Sequence, residues 1–120
     1  MIEGVARASV FDVMGAPEFP ALIDEYGREC SIEGLPSPLA KLESYRAFDA
    51  TGFLHVFAAV RERALVGFIT VLAPPMPHYS APVAVCESYF VTAGHRGQSG
   101  LQLLLAAEKQ ALASKSTVLQ

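Results

Sequence analysis

Two apolar runs held apart by three charged residues constrain this chain more than any other feature. Residues 53–60 and 65–72 are rich in Val, Phe, Leu and Ile, and only a charged stretch, Arg61, Glu62 and Arg63, joins them. So short a connection between two β-prone runs predicts an antiparallel hairpin. Pro74, Pro75 and Pro77 end the second arm, because proline has no N–H to give a ladder. Pro82 opens a third apolar run over residues 83–91. Ahead of the hairpin, residues 5–13 alternate well enough for a first strand, stopped by Gly15 and Pro17. Phe19, Leu22, Ile23, Tyr26 and Cys30 then recur at steps of three and four, which predicts a helix over residues 17–30. Ser37 as N-cap, with Pro38 at the first helical position, predicts a second helix to about Phe48, its Leu39, Leu42 and Tyr45 facing inward. After the third run come a loop over 92–99 and a helix over 100–113. Leu101, Leu104, Leu105 and Leu112 form its expected buried side, and a further strand begins at Thr117. The expected order is β-α-α-β-β-β-α-β: an α/β (α+β) fold with a mixed, mostly antiparallel sheet flanked by helices.

With 120 residues, 52% hydrophobic and 18% charged, the chain has material for one packed core. Residues 1–120 therefore read as a single domain, not a disordered segment. No run nears the ~20 apolar residues of a spanning helix. Glu3, Gly4 and Arg7 interrupt the start where a leader would be apolar. A soluble, cytoplasmic protein without a membrane partner is expected. Cys30 and Cys86 are too few for a disulfide frame, and no Cys/His spacing suggests a metal. A net charge of −3 argues against a nucleic-acid partner held by its phosphates. Residues 1–60 carry −5 and residues 61–120 carry +2, so the second half would better receive an anion and the first half a cation.

The segment that carries chemistry runs from Tyr89 to Leu101. A strand enters a loop holding Gly94, Arg96 and Gly97, and that loop opens directly into a helix near Gly100. The first turn of a helix presents unpaired N–H groups and a partial positive charge, glycines let a ligand approach the backbone, and a guanidinium suits phosphate oxygens. This is either an anion cradle or a glycine-rich turn with a solvated arginine. It is not a P-loop, which needs a lysine that is absent here. Nor is it the dinucleotide fingerprint, because the glycines stand at 94, 97 and 100.

The same segment resembles the acetyl-coenzyme A motif of the GNAT superfamily of N-acetyltransferases. That motif has a strand ending in an aliphatic-x-Val pattern, a short gap, Arg-Gly-x-Gly-x-Gly/Ala, then a Leu-rich helix with a late Glu. Here it reads Tyr89-Phe90-Val91, then Arg96-Gly97-Gln98-Ser99-Gly100-Leu101, then a helix reaching Glu108. Element order is similar along the whole chain, and a looser form of the motif is like that of phage-borne members. The resemblance implies acetyl-CoA as co-substrate and direct acetyl transfer to a small-molecule or protein amine. It assigns Phe90 and Val91 to main-chain hydrogen bonds with the pantetheine arm, and Arg96, Gly97, Gln98, Ser99, Gly100 and Leu101 to the pyrophosphate. Two departures stand out: Ser99 and Leu101 replace expected small residues, and the family's elements beyond the strand near Thr117 have no counterpart. The sheet edge left open implies either a longer natural chain or a partner, for which a homodimer is the simplest form.

Glu87 is the only acid between Glu62 and Glu108 and sits inside an apolar strand, with Val85 and Tyr89 expected on its face. A partly desolvated carboxylate there is suited to act as general base, and some members of the family place one at an equivalent point. The alternative is a structural acid at a strand end. The family's general acid, a tyrosine, would lie after Gln120, and Tyr89 is expected to be core instead. His95 is either a phosphate contact or loop surface. His78 and Tyr79 are expected at the acceptor mouth, His55 on a strand face, and Cys86 opposite Glu87 and not nucleophilic. Asp24, Glu25, Glu29 and Glu33 would lean the acceptor side toward a cationic amine. Against the enzyme stand two alternatives, a non-catalytic acyl-CoA-binding or assembly domain and a purely structural subunit.

Overall fold

A computed structural model describes residues 1–29, 42–76, 81–113 and 117–119 of the chain. Strand β1 (Gly4–Ala8) leads into helices α1 (Val10–Met14), α2 (Phe19–Glu29) and α3 (Leu42–Thr51). The hairpin β2 (Leu54–Arg61) and β3 (Ala64–Leu72) follows, then β4 (Pro75–Met76), β5 (Ala81–Val91), a 3-10 turn at Ala93–His95, α4 (Gln98–Ala113) and β6 (Thr117–Leu119). Strands β1, β2, β3 and β5 pair in that order, all antiparallel. On the far side of β5, β4 pairs antiparallel with Ala81 and Pro82, and β6 pairs parallel with Val83, Ala84 and Val85. Residues 86–91 have no strand beside them on that side among the described residues.

The hairpin forms as its sequence requires. Glu62 and Arg63 take positive φ angles of 52° and 65°, the geometry whose twist matches a two-residue reversal. Neither is glycine, and the Glu3 carboxylate offsets the strain by accepting both N–H groups at 3.0 and 3.2 Å. One face of the sheet is covered by α1 and α2 through Val10, Val13, Phe19 and Leu22, packed on Val56, Phe68 and Phe90, with Tyr45 of α3 against the same cluster. The other face is covered by α4 through Leu103, Ala107 and Ala111, packed on Ile69, Val71 and Val91.

Three expectations are corrected. The first strand stops at Ala8, and Val10 to Met14 are helical. Ser9 and Asp12 form a reciprocal capping box that nucleates this turn, and its i, i+3 pair Val10 and Val13 is buried. The proline-rich stretch after β3 does not simply end pairing, because Pro75 and Met76 make the short strand β4. The leucines of α4 were expected inside, yet Leu101, Leu105 and Leu112 are 57%, 53% and 76% exposed. The helix instead turns Ser99, Gly100, Leu103, Ala107 and Ala111 to the sheet, a row at steps of about four whose small members allow close approach. The expected helix start at Ser37, Pro38 and Leu39 lies outside the described residues, as do Cys30, Glu33, His78 and Tyr79.

Candidate active site

Glu87 stands where β5 departs from regular pairing. Thr70 of β3 pairs with Ser88 and Val71 pairs with Cys86, so Glu87 is the extra residue of a β-bulge. A bulge re-aims side chains by breaking the two-residue alternation. Glu87 and Ser88 consequently both face the helices α1 to α3, while Tyr89 turns to the α4 side, contrary to the expected sharing of a face by Glu87 and Tyr89. Nor is Glu87 sunk in the strand; it is exposed and held by hydroxyls. The Tyr45 hydroxyl donates to its carboxylate, 3.0 and 2.9 Å from the two oxygens, and Thr70 Oγ1 donates at 2.7 Å. Ser88 Oγ lies 2.5 Å from Thr70 Oγ1, so its proton completes a chain from Ser88 through Thr70 to Glu87. Burial, then the Glu87 charge, pushes the Tyr45 hydroxyl well above the ordinary tyrosine range, so it stays a neutral donor at working pH. These groups close one wall of a cavity of about 100 Å³ whose other walls are apolar, among them Val10, Val13, Phe19, Val56 and Phe68.

At the end of β5 the chain forms a second, more open cavity of about 410 Å³, lined by Tyr89, Phe90, Val91, Arg96, Gly97, Gly100, Leu101 and Glu29. The sequence expected six of these eight together. Gly97, at φ 94°, turns the chain into α4, and its carbonyl accepts the Leu101 N–H at 2.9 Å. The amides of Gln98, Ser99 and Gly100 precede the first such internal bond and make up the donor end of the helix. A side chain at Gly97 or Gly94 would meet no atom within 4 Å, and Tyr89 hydroxyl donates to Gly100 O, tying the helix start to β5. Along β5 the alternation is fixed by Thr92 N–H donating to Val66 O at 2.8 Å, and by Phe90 O standing 2.8 Å from the place of a Cβ on Gly67. Phe90 main-chain groups therefore serve β3, and those of Val91 and Tyr89 face the open edge. Of the expected pair, Phe90 contributes its buried ring and Val91 its backbone.

Arg96 reaches this cavity in a bound state. Its Nε–H donates to Val91 O at 2.8 Å, its Nη2 donates to Glu29 at 2.8 and 2.7 Å, and it lies 5.4 Å from the Phe90 ring centroid. Glu25 is 3.8 Å from the same guanidinium and accepts Thr92 Oγ1 at 2.7 Å and the Ala93 N–H at 3.1 Å. The Thr92 hydroxyl is the main cause holding the Glu25 carboxyl below its usual range, with the Ala93 N–H, Glu29 and Arg96 adding to it. Of the acids of α2, Glu25 and Glu29 hold the loop before α4, and Asp24 pairs with Arg28 at 2.6 Å. His95 is exposed in the 3-10 turn. His55 on β2 lies 2.7 Å from Arg7 Nη2, and burial followed by that guanidinium holds its ring below the ordinary histidine range. Cys86 faces α4, and burial followed by the Glu87 charge raises its thiol away from the thiolate. The sequence missed Tyr45 as a site residue and Glu29 as a partner of Arg96. Only the inward placement of Tyr45 was readable.

No cluster of metal-ligating side chains occurs among the described residues, and no helix among them is long and apolar enough to cross a membrane. The pattern of the Acetyltransferase (GNAT) family matches residues 19–119. Among curated proteins, none matches this chain. A ribosomal-protein-alanine N-acetyltransferase from Brucella melitensis biovar Abortus 2308 has a similar structure, with a TM-score of 0.71 at 17% identity over 99% of this chain and 78% of that one. An aminoglycoside acetyltransferase from an uncultured soil metagenomic sample gives 0.65 at 20% identity over 97% and 76%. A GNAT family acetyltransferase from Staphylococcus aureus gives 0.69 at 13% identity over 97% and 84%.

Proposed function

This chain belongs to the GNAT acetyltransferase family, and from that premise we propose that it moves an acetyl group from acetyl-CoA directly to an amine, with Glu87 as general base. The observation that carries the reading is the helix-start cavity. Gly97, Gly100, Arg96 and Val91 line it where α4 begins, and the amides of the first helical turn, the guanidinium and the outward main chain of Val91 would make a donor set suited to a diphosphate followed by an amide-bearing arm. Gly97, Gly100 and Leu101 would hold the diphosphate through backbone and shape, and Arg96 would exchange Glu29 for phosphate oxygens. Bound there, acetyl-CoA supplies an activated acyl carbon. Glu87 takes a proton from the ammonium, directly or through one water, which frees the nitrogen lone pair for attack. Tyr45 and Thr70 fix the carboxylate while this happens. In balance, the acyl carbon exchanges its bond to sulfur for one to nitrogen; the first ammonium proton leaves through Glu87 to solvent, and the second, released from nitrogen after attack, neutralises the departing thiolate. The two aminoglycoside- and protein-directed neighbours support an amine as acceptor.

One observation favours a second reading, a binding domain that keeps the fold without turnover: Glu29 occupies Arg96 inside the same cavity. Free thiol released from acetyl-CoA in the presence of a primary amine separates the two. Release that depends on the amine supports the enzyme; saturable acetyl-CoA binding with no release under any amine supports the binding domain.

A further inference from the structure

The small cavity under α1, α2 and α3 is polar on one wall only. Glu87, Thr70, Ser88 and the Tyr45 hydroxyl line that wall, and apart from the Tyr26 phenol and the Met14 thioether the rest is aliphatic and aromatic carbon. A carboxylate at the end of an apolar cavity selects a cation whose charge is terminal and whose body is greasy. In an apolar cavity of about 150 Å³ that holds benzene each carbon takes about 25 Å³. The 100 Å³ here then fits about four carbon atoms, provided that the ammonium sits at the mouth against the exposed Glu87 carboxylate. Val10, Val13, Phe19 and Phe68 offer no partner to a hydroxyl, so each hydroxyl buried there would lose its water hydrogen bonds and weaken binding about tenfold.

We infer that this cavity is the acceptor pocket, and that it takes a primary ammonium on a short, branched, apolar group and excludes polyhydroxylated amines. The inference rests on the acetyl-transfer reading for the use of the pocket, though not for its occupancy. The same chemistry is presented by a free alkylamine and by the first residue of a peptide whose side chain is aliphatic.

Calorimetric titration of the full chain with ethyl-, propyl-, 2-methylpropyl-, 3-methylbutyl- and hexylamine, with and without coenzyme A, reads the pocket independently of turnover. Affinity should rise about fourfold per methylene, peak at 2-methylpropyl- or 3-methylbutylamine and fall at hexylamine. 3-Methylbutanol should bind at least tenfold more weakly than the matching amine, and Glu87→Gln should bring the two level. Val13→Leu should reject 3-methylbutylamine and keep ethylamine; if circular dichroism finds that variant unfolded, the ligand series on the unaltered chain still decides. Affinity independent of chain length, or tighter binding of ethanolamine or kanamycin than of any alkylamine, overturns the pocket. Thiol release with the same amines separates this inference from its premise. Ranked binding without release keeps the pocket and removes acetyl transfer; release with kanamycin and none with alkylamines keeps transfer and removes the pocket. A leucine-led tripeptide amide outrunning 3-methylbutylamine identifies the peptide source, and the reverse identifies the free amine.

Discussion

At its bulge β5 presents Glu87 to a cavity of about 100 Å³ with apolar walls, and at its end it presents Val91 to an open one of about 410 Å³ beside α4. Each cavity contains one charge that matters, and the two are kept differently. Glu87 is held by neutral hydroxyls from Tyr45 and Thr70, so its charge stays available to an incoming cation. Arg96 is held by the carboxylate of Glu29, with Glu25 at 3.8 Å, so an anion must displace a like-charged rival before it can bind. The first site is preorganised and the second must exchange partners. That difference teaches where a substitution costs rate and where it costs, or gains, affinity.

The largest effect should come from the preorganised side. Glu87→Gln removes the base while keeping the shape, and amine-dependent thiol release should fall about 10²- to 10⁴-fold, with acetyl-CoA binding unchanged by calorimetry. Next, Arg96→Ala should weaken acetyl-CoA binding about 10- to 100-fold, the worth of a charge-assisted hydrogen bond to phosphate. Tyr45→Phe takes one donor from Glu87 and should lower the turnover number about tenfold, with about 1 kcal/mol lost in a urea melt. On the exchanging side, Glu29→Gln should tighten acetyl-CoA binding a few-fold, about 2- to 5-fold for a partly exposed pair; weaker binding would break the contrast between the cavities. The smallest effect is in pH. Thr92 and its neighbours hold Glu25 below its ordinary value of 4.5 in the folded state, so Glu25 contributes stability above that value that is lost as pH falls through the lower folded one. Thermal midpoints between pH 5 and 3 should therefore drop less in Glu25→Gln than in the unaltered chain.

Much of this was legible in the sequence, and the misses have identifiable causes. The hairpin, the motif strand and the helix after it were readable because each rests on local pattern: apolar runs, a short charged turn, and glycines ahead of a Leu-rich segment. Helix α1 was misread as strand because Val10, Phe11 and Val13 also suit alternation, although the Ser9-x-x-Asp12 cap was there to be weighed. The buried face of α4 was misread because large residues attract attention. Gly100, Ala107 and Ala111 lie inward beside Leu103 because close packing on the sheet favours small ones, and Leu101, Leu105 and Leu112 are left outside. In the candidate site, Glu87 and the cradle from Arg96 to Leu101 were named from sequence, but their settings were not. A bulge depends on the register of β3 against β5, and the Arg96–Glu29 contact joins residues 67 positions apart. No periodicity in one strand or one helix encodes either.

The central claim is that the opening turn of α4 receives a diphosphate. Backbone amide shifts in a ¹⁵N spectrum, followed while coenzyme A is added, test it residue by residue. The largest saturable displacements should fall on Gly97, Gln98, Ser99, Gly100 and Leu101, with the Arg96 Nε–H, which donates to Val91 O, moving as Nη2 leaves Glu29. Displacements centred elsewhere, or an unmoved spectrum at millimolar coenzyme A, would contradict it.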